Sequence, residues 1–166
     1  TDGEDPIISC PADITANTDA GMCRATGVNL GECVTSDNCA VVTVTNDAPT
    51  SYPVGDTMVT WTVTDASGNT STCTQKVSVT DAEKPVITLN GKSSVTVECH
   101  GGYNDEGAAV SDNCDTGIQI VVANLVDITA VGTYTVTYDA EDASGNDAVQ
   151  VVRTVTVVDT TAPVIT

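Results

Sequence analysis

Short segments of the chain alternate apolar with polar residues. In the clearest segment, residues 58–64, Val59, Trp61 and Val63 can face one side of a β-strand while Met58 and the threonines face the other. Similar segments rich in Val, Ile and Thr, each bounded by turn-forming residues, occupy residues 6–10, 14–17, 40–45, 71–80, 134–138 and 151–158. No segment keeps a helical period, so the pattern predicts an all-β fold built of antiparallel β-sandwiches.

A motif of the form D-x-x-x-P-[VI]-I-[ST] occurs three times in the chain. Its copies begin at Asp2, Asp81 and Asp159, at intervals of 79 and 78 residues. Such even spacing is typical of tandem repeats. We therefore predict two domains, residues 1–80 and 81–158, with residues 159–166 starting the linker to a next repeat. Each domain is small, so a cross-link would add to the stability that its core provides.

The charge of the chain narrows its possible partners. There are 23 acidic residues against 5 Lys and Arg, which gives a net charge of −18. Nucleic acids and anionic membranes attract basic surfaces, so both are poor partners for this chain. No apolar stretch is long enough for direct insertion into a membrane. Seven cysteines in small domains indicate an oxidising compartment, and we expect a secreted or cell-surface protein.

Several motifs of the first repeat occur in an order that resembles the HYR (hyalin repeat) module. They are C-P-A-D-I-T from Cys10, S-D-N-C from Ser36, D-A-S-G-N from Asp65, and Cys73. The second repeat reuses S-D-N-C from Ser111 and D-A-S-G-N from Asp142. It lacks the early Cys-Pro and is more similar to the related bacterial Ig-like repeat. The resemblance implies two tandem immunoglobulin-like antiparallel β-sandwiches with an adhesive role and no catalytic residues.

Comparing the two repeats position by position predicts one disulfide. Cys10 and Cys73 correspond to Leu89 and Val151 in the second repeat, so both cysteines are replaced together by apolar residues. A disulfide exchanged for a packed apolar pair would leave this signature. We therefore predict a Cys10–Cys73 bond, which closes a long loop.

The remaining cysteines leave one choice open. Cys114 corresponds to Cys39 and has only Cys99 left in its own repeat, so we predict a Cys99–Cys114 bond. Cys39 has two candidate partners, Cys23 and Cys33. We prefer a Cys23–Cys39 bond because Cys33 has no counterpart in the second repeat. Cys33 would then be the odd thiol, either free or paired between molecules.

Acidic residues of the second repeat gather where the chain enters the predicted sandwich. In an immunoglobulin-type sandwich this end holds the loop between the second and third strands and the loop between the last two strands. Packed like charges are destabilising unless a cation joins them, and Ca²⁺ takes six to eight oxygen ligands. We predict a calcium site at the joint between the repeats, with ligands drawn from Asp81, Asp112, Asn113, Asp139, Glu141 and Asp142.

The first repeat holds a thinner version of this site. Thr62 and Thr64 stand where the second repeat has Asp139 and Glu141, so we expect weaker binding there. Its candidate ligands are Asp2, Asp5, Asp37, Asn38 and Asp65, while Asp159 would belong to a further site with a following repeat. The alternative is that Asp and Asn at these positions only form turns.

These expectations combine into one functional hypothesis. The chain would be a structural or adhesive segment of an extracellular stalk, adhesin or fibre, with neighbouring repeats of the same or an identical chain as partners and Ca²⁺ making the joint rigid. The alternatives are a module that binds a glycan or a cell-surface protein through its apical loops, and a self-assembling filament subunit. An enzyme is not expected, because the acids lie in exposed turns and His100 is the only histidine.

Overall fold

A four-stranded β-sheet forms the larger layer of each half of the chain. The computed structural model describes residues 2–164, and the chain divides into two compact units between Ala82 and Glu83. No helix occurs among the described residues, so the all-β prediction is confirmed. We call the two halves unit 1 and unit 2.

The described part of unit 1 contains eight strands. They are β1 (Ile7–Ser9), β2 (Ile14–Asn17), β3 (Arg24–Thr26), β4 (Val34–Ser36), β5 (Val41–Asn46), β6 (Ser51–Pro53), β7 (Gly55–Asp65) and β8 (Thr70–Thr80). The main sheet has the order β2-β8-β7-β5, and the pairs β1-β4 and β3-β6 form two smaller sheets.

Unit 2 repeats this plan with six strands over its described residues. They are β9 (Val86–Leu89), β10 (Ser94–Glu98), β11 (Ala108–Ser111), β12 (Ile120–Asn124), β13 (Gly132–Ala140) and β14 (Val151–Val158). The main sheet has the order β10-β14-β13-β12, and β9 pairs with β11. The predicted start of a next repeat at residues 159–166 includes Ile165 and Thr166, which lie outside the described residues.

One pairing in each main sheet is parallel. β2 runs parallel to β8 and β10 runs parallel to β14, while the other pairings are antiparallel. The chain leaves the small sheet after β1 or β9 and crosses to the edge of the main sheet. There it runs in the same direction as the last strand of its unit.

The two ends of unit 1 lie far apart along β8. The incoming end, where the chain enters the unit, is marked by the hydrogen bond from the Ala66 N–H to the Ala40 carbonyl (3.1 Å). The outgoing end is marked by the hydrogen bond from the Thr18 N–H to the Thr80 carbonyl (3.0 Å). β8 runs between these ends and has 11 residues, or a length of roughly 36 Å.

The core of unit 1 follows the predicted alternation. Val59, Trp61 and Val63 are 0%, 7% and 0% exposed, as the pattern on β7 predicts. Val59 and Trp61 join Val77 and Val79 of β8 in one apolar cluster. A second, separate cluster forms the core of unit 2 and consists of Ile87, Val136, Tyr138, Ala140 and Val155.

A buried polar side chain lies within each core. In unit 1, Gln75 accepts a hydrogen bond from Trp61 Nε1 (3.1 Å) and donates to the carbonyls of Ala12 (2.7 Å) and Leu30 (3.0 Å). The matching position in unit 2 is Arg153, which is 1% exposed. The same place in the fold is therefore held by an amide in one unit and by a guanidinium in the other.

Arg153 is neutralised by Asp105 within a network of hydrogen bonds. Asp105 pairs with the guanidinium and accepts hydrogen bonds from the hydroxyls of Tyr103 (3.0 Å) and Tyr138 (2.7 Å). Arg153 Nε donates to the Lys92 carbonyl (2.9 Å). Burial raises the pKa of Asp105, but these hydrogen bonds and the charge of Arg153 outweigh burial and lower the pKa below its ordinary value. We did not predict this network from the sequence.

The predicted Cys10–Cys73 disulfide is present in unit 1. Its two Cα atoms are 5.8 Å apart, and both cysteines pack against the core of the unit. Leu89 and Val151, which occupy the corresponding positions in unit 2, pack against the core of that unit. The disulfide of one unit is thus replaced by apolar packing in the other.

The other two predicted disulfides are wrong. Cys39 and Cys99 have free thiols, so neither Cys23–Cys39 nor Cys99–Cys114 forms. The reason is topological: Cys39 lies at the incoming end of unit 1 beside Ala40, whereas Cys23 lies in the turn after β2 at the outgoing end. Cys33 has a free thiol, as predicted, and is half-buried against the core.

The same separation applies in unit 2. The Cys99 N–H donates a hydrogen bond to the Val158 carbonyl (2.6 Å). Val158 is the last residue of β14, so Cys99 lies at the outgoing end of unit 2. Cys114 follows Asp112 in the loop after β11, at the incoming end. A disulfide requires Cα atoms within about 7 Å, so residues at opposite ends of a unit cannot be joined.

Candidate metal site

Three carboxylates meet at the incoming end of unit 1. Asp2 comes from the incoming linker, Asp37 from the loop after β4, and Asp65 from the end of β7. One oxygen of each lies within 4.8 Å of an oxygen of the other two. Residues that are far apart in sequence therefore form one acidic group.

Local hydrogen bonds explain why the two loops fold as they do. Asp37 Oδ2 accepts hydrogen bonds from the N–H groups of Cys39 (2.9 Å) and Ala40 (3.0 Å). Asp65 Oδ1 accepts from the N–H groups of Ser67 (2.8 Å) and Asn69 (2.8 Å). Both are the turn interactions that Asp side chains form with residues a few positions ahead. One oxygen of each aspartate, Asp37 Oδ2 and Asp65 Oδ1, therefore stabilises its own turn, as the alternative interpretation predicts.

Other oxygens of the group are left without a partner. Asp2 Oδ2 and Asp37 Oδ1 are buried and accept no hydrogen bond from the described residues. None of the three carboxylates forms an ion pair with a basic residue of the described chain. A buried anionic oxygen without a partner is unfavourable, so a bound cation would satisfy these atoms.

Asn69 fastens the incoming linker to this group. Its Nδ2 donates to Asp65 Oδ2 (2.7 Å) and to the Glu4 carbonyl (3.0 Å). Gly68, which precedes it, has a φ of 94°, a conformation that favours glycine in the tight turn. We did not single out Asn69 as a site residue, although its place in the repeated D-A-S-G-N motif was a signal.

The electrostatics favour ionised carboxylates. Hydrogen bonds from the Glu4 N–H, the Asn38 amide and the Cys39 thiol lower the pKa of Asp2. Burial raises the pKa of Asp65, but hydrogen bonds from Asn69 and Ser67 outweigh it and lower the pKa. Both groups therefore carry negative charge at neutral pH.

Unit 2 builds the same arrangement with its own aspartates. Asp112 Oδ1 accepts hydrogen bonds from the N–H groups of Cys114 (2.8 Å) and Asp115 (3.0 Å), and Asp112 Oδ2 is buried without a partner in the described chain. Asp142 Oδ1 accepts from the N–H of Asn146 (2.7 Å), and its Oδ2 accepts from Asn146 Nδ2 (2.8 Å). Burial raises the pKa of Asp142, but the hydrogen bonds from Asn146 and Ser144 outweigh it and lower the pKa. Asp112 and Asp142 bring oxygens within 4.8 Å of each other.

The other predicted ligands of the joint differ in their burial and in their hydrogen-bond partners. Asp81 is 4% exposed and accepts a hydrogen bond from Thr18 Oγ1 (3.2 Å). Asn113 is half-buried, and its Nδ2 lies 3.5 Å from Cys114 Sγ. Asp139 accepts hydrogen bonds from Gln150 Nε2 (2.9 and 3.0 Å), and Glu141 is exposed.

Asp139 and Glu141 are therefore not among the carboxylates that converge. We expected a stronger site in the second repeat because of Asp139 and Glu141. The carboxylates that converge do not include these two residues, so they give no structural reason for a difference between the two sites. In the first repeat, Asp5 is exposed and outside the group, and Asn38 donates to Asp2 Oδ1 (3.2 Å). Asp159 accepts a hydrogen bond from the Thr161 N–H (3.1 Å).

The carboxylate spacing suits calcium. Ca²⁺ binds oxygens at about 2.3–2.6 Å, so two oxygens on one ion lie at most about 5 Å apart. The 4.8 Å limit within the group of Asp2, Asp37 and Asp65 falls inside this range. Carbonyl groups and water would supply the remaining ligands. Zinc sites are usually built from Cys and His, which this group of carboxylates does not offer.

A groove opens beside the acidic loops of unit 2. It has a volume of about 520 Å³ and is lined by Asp115, Ile118, Gln119, Val121, Glu141 and Ala143, among others. Among the described residues, no aromatic side chain lines it. The groove thus offers acidic and apolar contacts but lacks the aromatic platform that many sugar sites use.

Comparison with known proteins identifies both repeats. Residues 1–79 match the HYR domain, and residues 87–157 match the domain described as "Bacterial surface protein, Ig-like domain". The chain is 39% identical to hyalin of Lytechinus variegatus over 124 residues, which are 69% of this chain and 23% of hyalin.

Two further similarities extend over most of the chain. It is 32% identical over 157 residues to the sushi, von Willebrand factor type A, EGF and pentraxin domain-containing protein 1 of Rattus norvegicus, covering 88% of this chain and 4% of that protein. The extracellular cadherin domains 1–4 of protocadherin gamma B7 align over 93% of this chain and 51% of theirs, with 15% identity and a TM-score of 0.38. The chain spans less than a quarter of either curated relative, hyalin or the rat protein.

The matches and the disulfide agree on the compartment. Both families are repeat domains of surface and extracellular proteins, and the Cys10–Cys73 bond fits an oxidising environment. The protein is therefore secreted or displayed at the cell surface. In the described part of the chain, no helix is both long and apolar enough to cross a membrane. The first repeat belongs to the HYR domain family and the second to the Ig-like domain family of bacterial surface proteins, both of them structural and adhesive extracellular repeats.

Proposed function

We propose that this chain is a spacer segment of an extracellular adhesive array, stiffened by calcium at the incoming end of each repeat. One observation carries the calcium part of the proposal. In unit 1, Asp2 and Asp37 each keep a buried oxygen without a hydrogen-bond partner, beside the buried carboxylate of Asp65. A hard divalent cation is the partner that such oxygens favour.

The linker aspartate makes this a joint rather than an isolated site. Asp2 belongs to the D-x-x-x-P motif that precedes the first strand, whereas Asp37 and Asp65 belong to loops of the sandwich itself. An ion held by all three would fix the direction of the linker relative to the sandwich that follows. In the sequence repeat, Asp81 corresponds to Asp2. Asp112 and Asp142 correspond to Asp37 and Asp65. We propose that Asp81 completes a second calcium site in the same way.

Calcium titration of the intact chain tests the proposal. We expect Ca²⁺ to raise the melting temperature and a chelator to reverse the increase, because the ion relieves repulsion among the ionised carboxylates. Small-angle scattering should show a longer and less variable particle with Ca²⁺ than with chelator, because the linker is then fixed.

Matched variants separate the two sites. Asp37→Asn should remove the response of unit 1, and Asp112→Asn should remove that of unit 2. Glu32→Gln is the control, because it removes one exposed charge outside both groups. An unchanged melting temperature and scattering profile at millimolar Ca²⁺ would show that the proposed calcium role is wrong.

The groove of unit 2 favours a second candidate function, the binding of a partner through the apical loops. Its three acidic lining residues, Asp115, Glu141 and Asp142, share the groove with the apolar Ile118 and Val121. This combination fits a basic or amphipathic protein segment better than a sugar. Binding of a basic peptide that is lost in Glu141→Gln and retained in Glu32→Gln would support this candidate, and equal binding to both variants would reject it.

A further inference from the structure

Each unit carries one cysteine at each of its ends. At the incoming ends, Cys39 and Cys114 close the same S-D-N-C loop. At the outgoing ends, Cys23 lies in the turn after β2 and Cys99 follows β10. In chain order, Cys39 belongs to the incoming end of the first unit and Cys99 to the outgoing end of the second. Both of these thiols are free, with Cys39 exposed and Cys99 half-buried.

Cys39 lies against the incoming copy of the linker motif. The residue before it, Asn38, donates a hydrogen bond to Asp2 Oδ1 (3.2 Å). The first aspartate of the linker motif therefore accepts a hydrogen bond from the residue next to this thiol.

Cys99 lies against the outgoing copy of the same motif. The residue before it, Glu98, accepts hydrogen bonds from the Thr160 N–H (2.7 Å), the Thr160 hydroxyl (2.9 Å) and the Thr161 hydroxyl (3.1 Å). Glu98 thus holds the two residues that follow Asp159, the aspartate equivalent to Asp2. Each free thiol is therefore next to a residue that contacts one copy of the linker motif: Asn38 contacts the incoming copy and Glu98 contacts the outgoing copy.

We propose that Cys99 of one copy of this chain forms a disulfide with Cys39 of a second copy, joined outgoing end to incoming end. The oxidant is a small-molecule disulfide such as oxidised glutathione. The Cys39 thiolate attacks it, which gives a mixed disulfide and one reduced glutathione. The Cys99 thiolate then attacks the Cys39 sulfur, which forms the protein disulfide and releases the second reduced glutathione. Two thiols are oxidised, one glutathione disulfide is reduced, and two protons are transferred to the departing thiolates.

Oxidation of the intact chain with oxidised glutathione tests this inference. Non-reducing electrophoresis should show a ladder in steps of one chain mass, and peptide mapping should recover the Cys39–Cys99 link. Cys39→Ser and Cys99→Ser should each lose the ladder completely. An equal mixture of these two variants should form dimers and stop there, because each variant supplies one half of the bond. Cys33→Ser should leave the ladder unchanged.

Three outcomes would overturn the inference: a ladder that survives in either single variant, a mixture that gives no dimers, or a Cys39–Cys99 link within one chain. The inference rests on the proposed function only in that repeats meet end to end. The double variant Cys39→Ser/Cys99→Ser keeps both carboxylate groups, so its melting temperature with and without Ca²⁺ tests the calcium proposal independently of the cross-link.

Discussion

At the scale of single residues, a carboxylate in this chain often serves two partners through its two oxygens. Asp37 uses Oδ2 to hold its own turn and keeps Oδ1 buried without a partner, and Asp112 divides its oxygens in the same way. Turn formation and metal binding are thus compatible properties of one side chain. Asp105 differs, because all its neighbours are internal donors: Tyr103, Tyr138 and Arg153.

The substitution Asp105→Asn should destabilise unit 2 by about 3–5 kcal/mol, because it leaves the guanidinium of Arg153 buried without its counter-charge. Hydrogen exchange of β13 and β14 measures this loss. Asp115→Asn is the control, since that carboxylate lies in a loop at the surface and accepts a single backbone hydrogen bond. Equal protection in wild type and Asp105→Asn would contradict the prediction.

The same network predicts how the stability of unit 2 depends on pH. The pKa of Asp105 is lowered on folding, so its stabilising effect is present above its unfolded pKa of about 4 and is lost as the pH falls further. The pKa of Tyr138 is raised by burial and by Asp105, so its effect is present below about pH 10 and is lost as the pH rises. Asp105→Asn should flatten the acid limb of this profile.

At the scale of elements, the two units solve the same packing problem with different chemistry. Unit 1 ties the segment after β1 to β8 through Cys10–Cys73. Unit 2 places Leu89 and Val151 at these positions and ties its strands through the buried Arg153. The common sheet order of the two units shows that the backbone plan tolerates either solution.

Replacing both Cys10 and Cys73 by Ala should destabilise unit 1 by roughly 4 kcal/mol, because the bond closes a loop with a sequence separation of 63. Unit 2 should keep its stability. Trp61 is the only tryptophan of the chain and lies in unit 1, so its fluorescence during chemical denaturation reports on that unit alone. The control is Cys33→Ala, which removes a thiol from the same core without opening a loop. A midpoint unchanged by the double substitution would contradict this prediction.

At the scale of the whole molecule, the net charge of −18 acts against folding through self-repulsion. Simple salt screens this repulsion over a Debye length of about 10 Å at 0.1 M, wherever the charges lie. A bound calcium ion acts only on the oxygens that it touches. The two effects therefore differ in their concentration dependence and in their response to mutation.

Adding NaCl at constant chelator should raise the melting temperature of wild type, Asp37→Asn and Asp112→Asn by similar amounts. Ca²⁺ at millimolar concentration and constant ionic strength should raise the melting temperature further for both units of wild type, but for only the unsubstituted unit of each variant. The expected increase is several degrees for each kcal/mol of binding in units of about 80 residues. Mg²⁺ should act more weakly, because it demands a stricter geometry and loses water reluctantly. Equal shifts from Ca²⁺ and Na⁺ at the same ionic strength would mean that only screening operates.

Local patterns in the sequence were enough to find much of this protein. The alternation around Trp61 located β7 and its buried face, and the two D-A-S-G-N motifs located the turns at Asp65 and Asp142. The paired loss of Cys10 and Cys73 in the second repeat identified their bond. These features depend on neighbouring residues or on internal repetition, both of which a single sequence displays.

Only the tertiary structure decided which distant residues meet. The sequence allowed Cys39 to pair with Cys23, but the two lie at opposite ends of unit 1. The 11-residue strand β8 runs between these ends. It grouped Asp139 with the candidate ligands, whereas the fold places that side chain against Gln150 and outside the converging carboxylates. It gave no sign that Asp105 would neutralise Arg153, which is 48 residues away. Such contacts are set by strand order and by the direction in which each strand runs, and a local pattern of side chains carries neither.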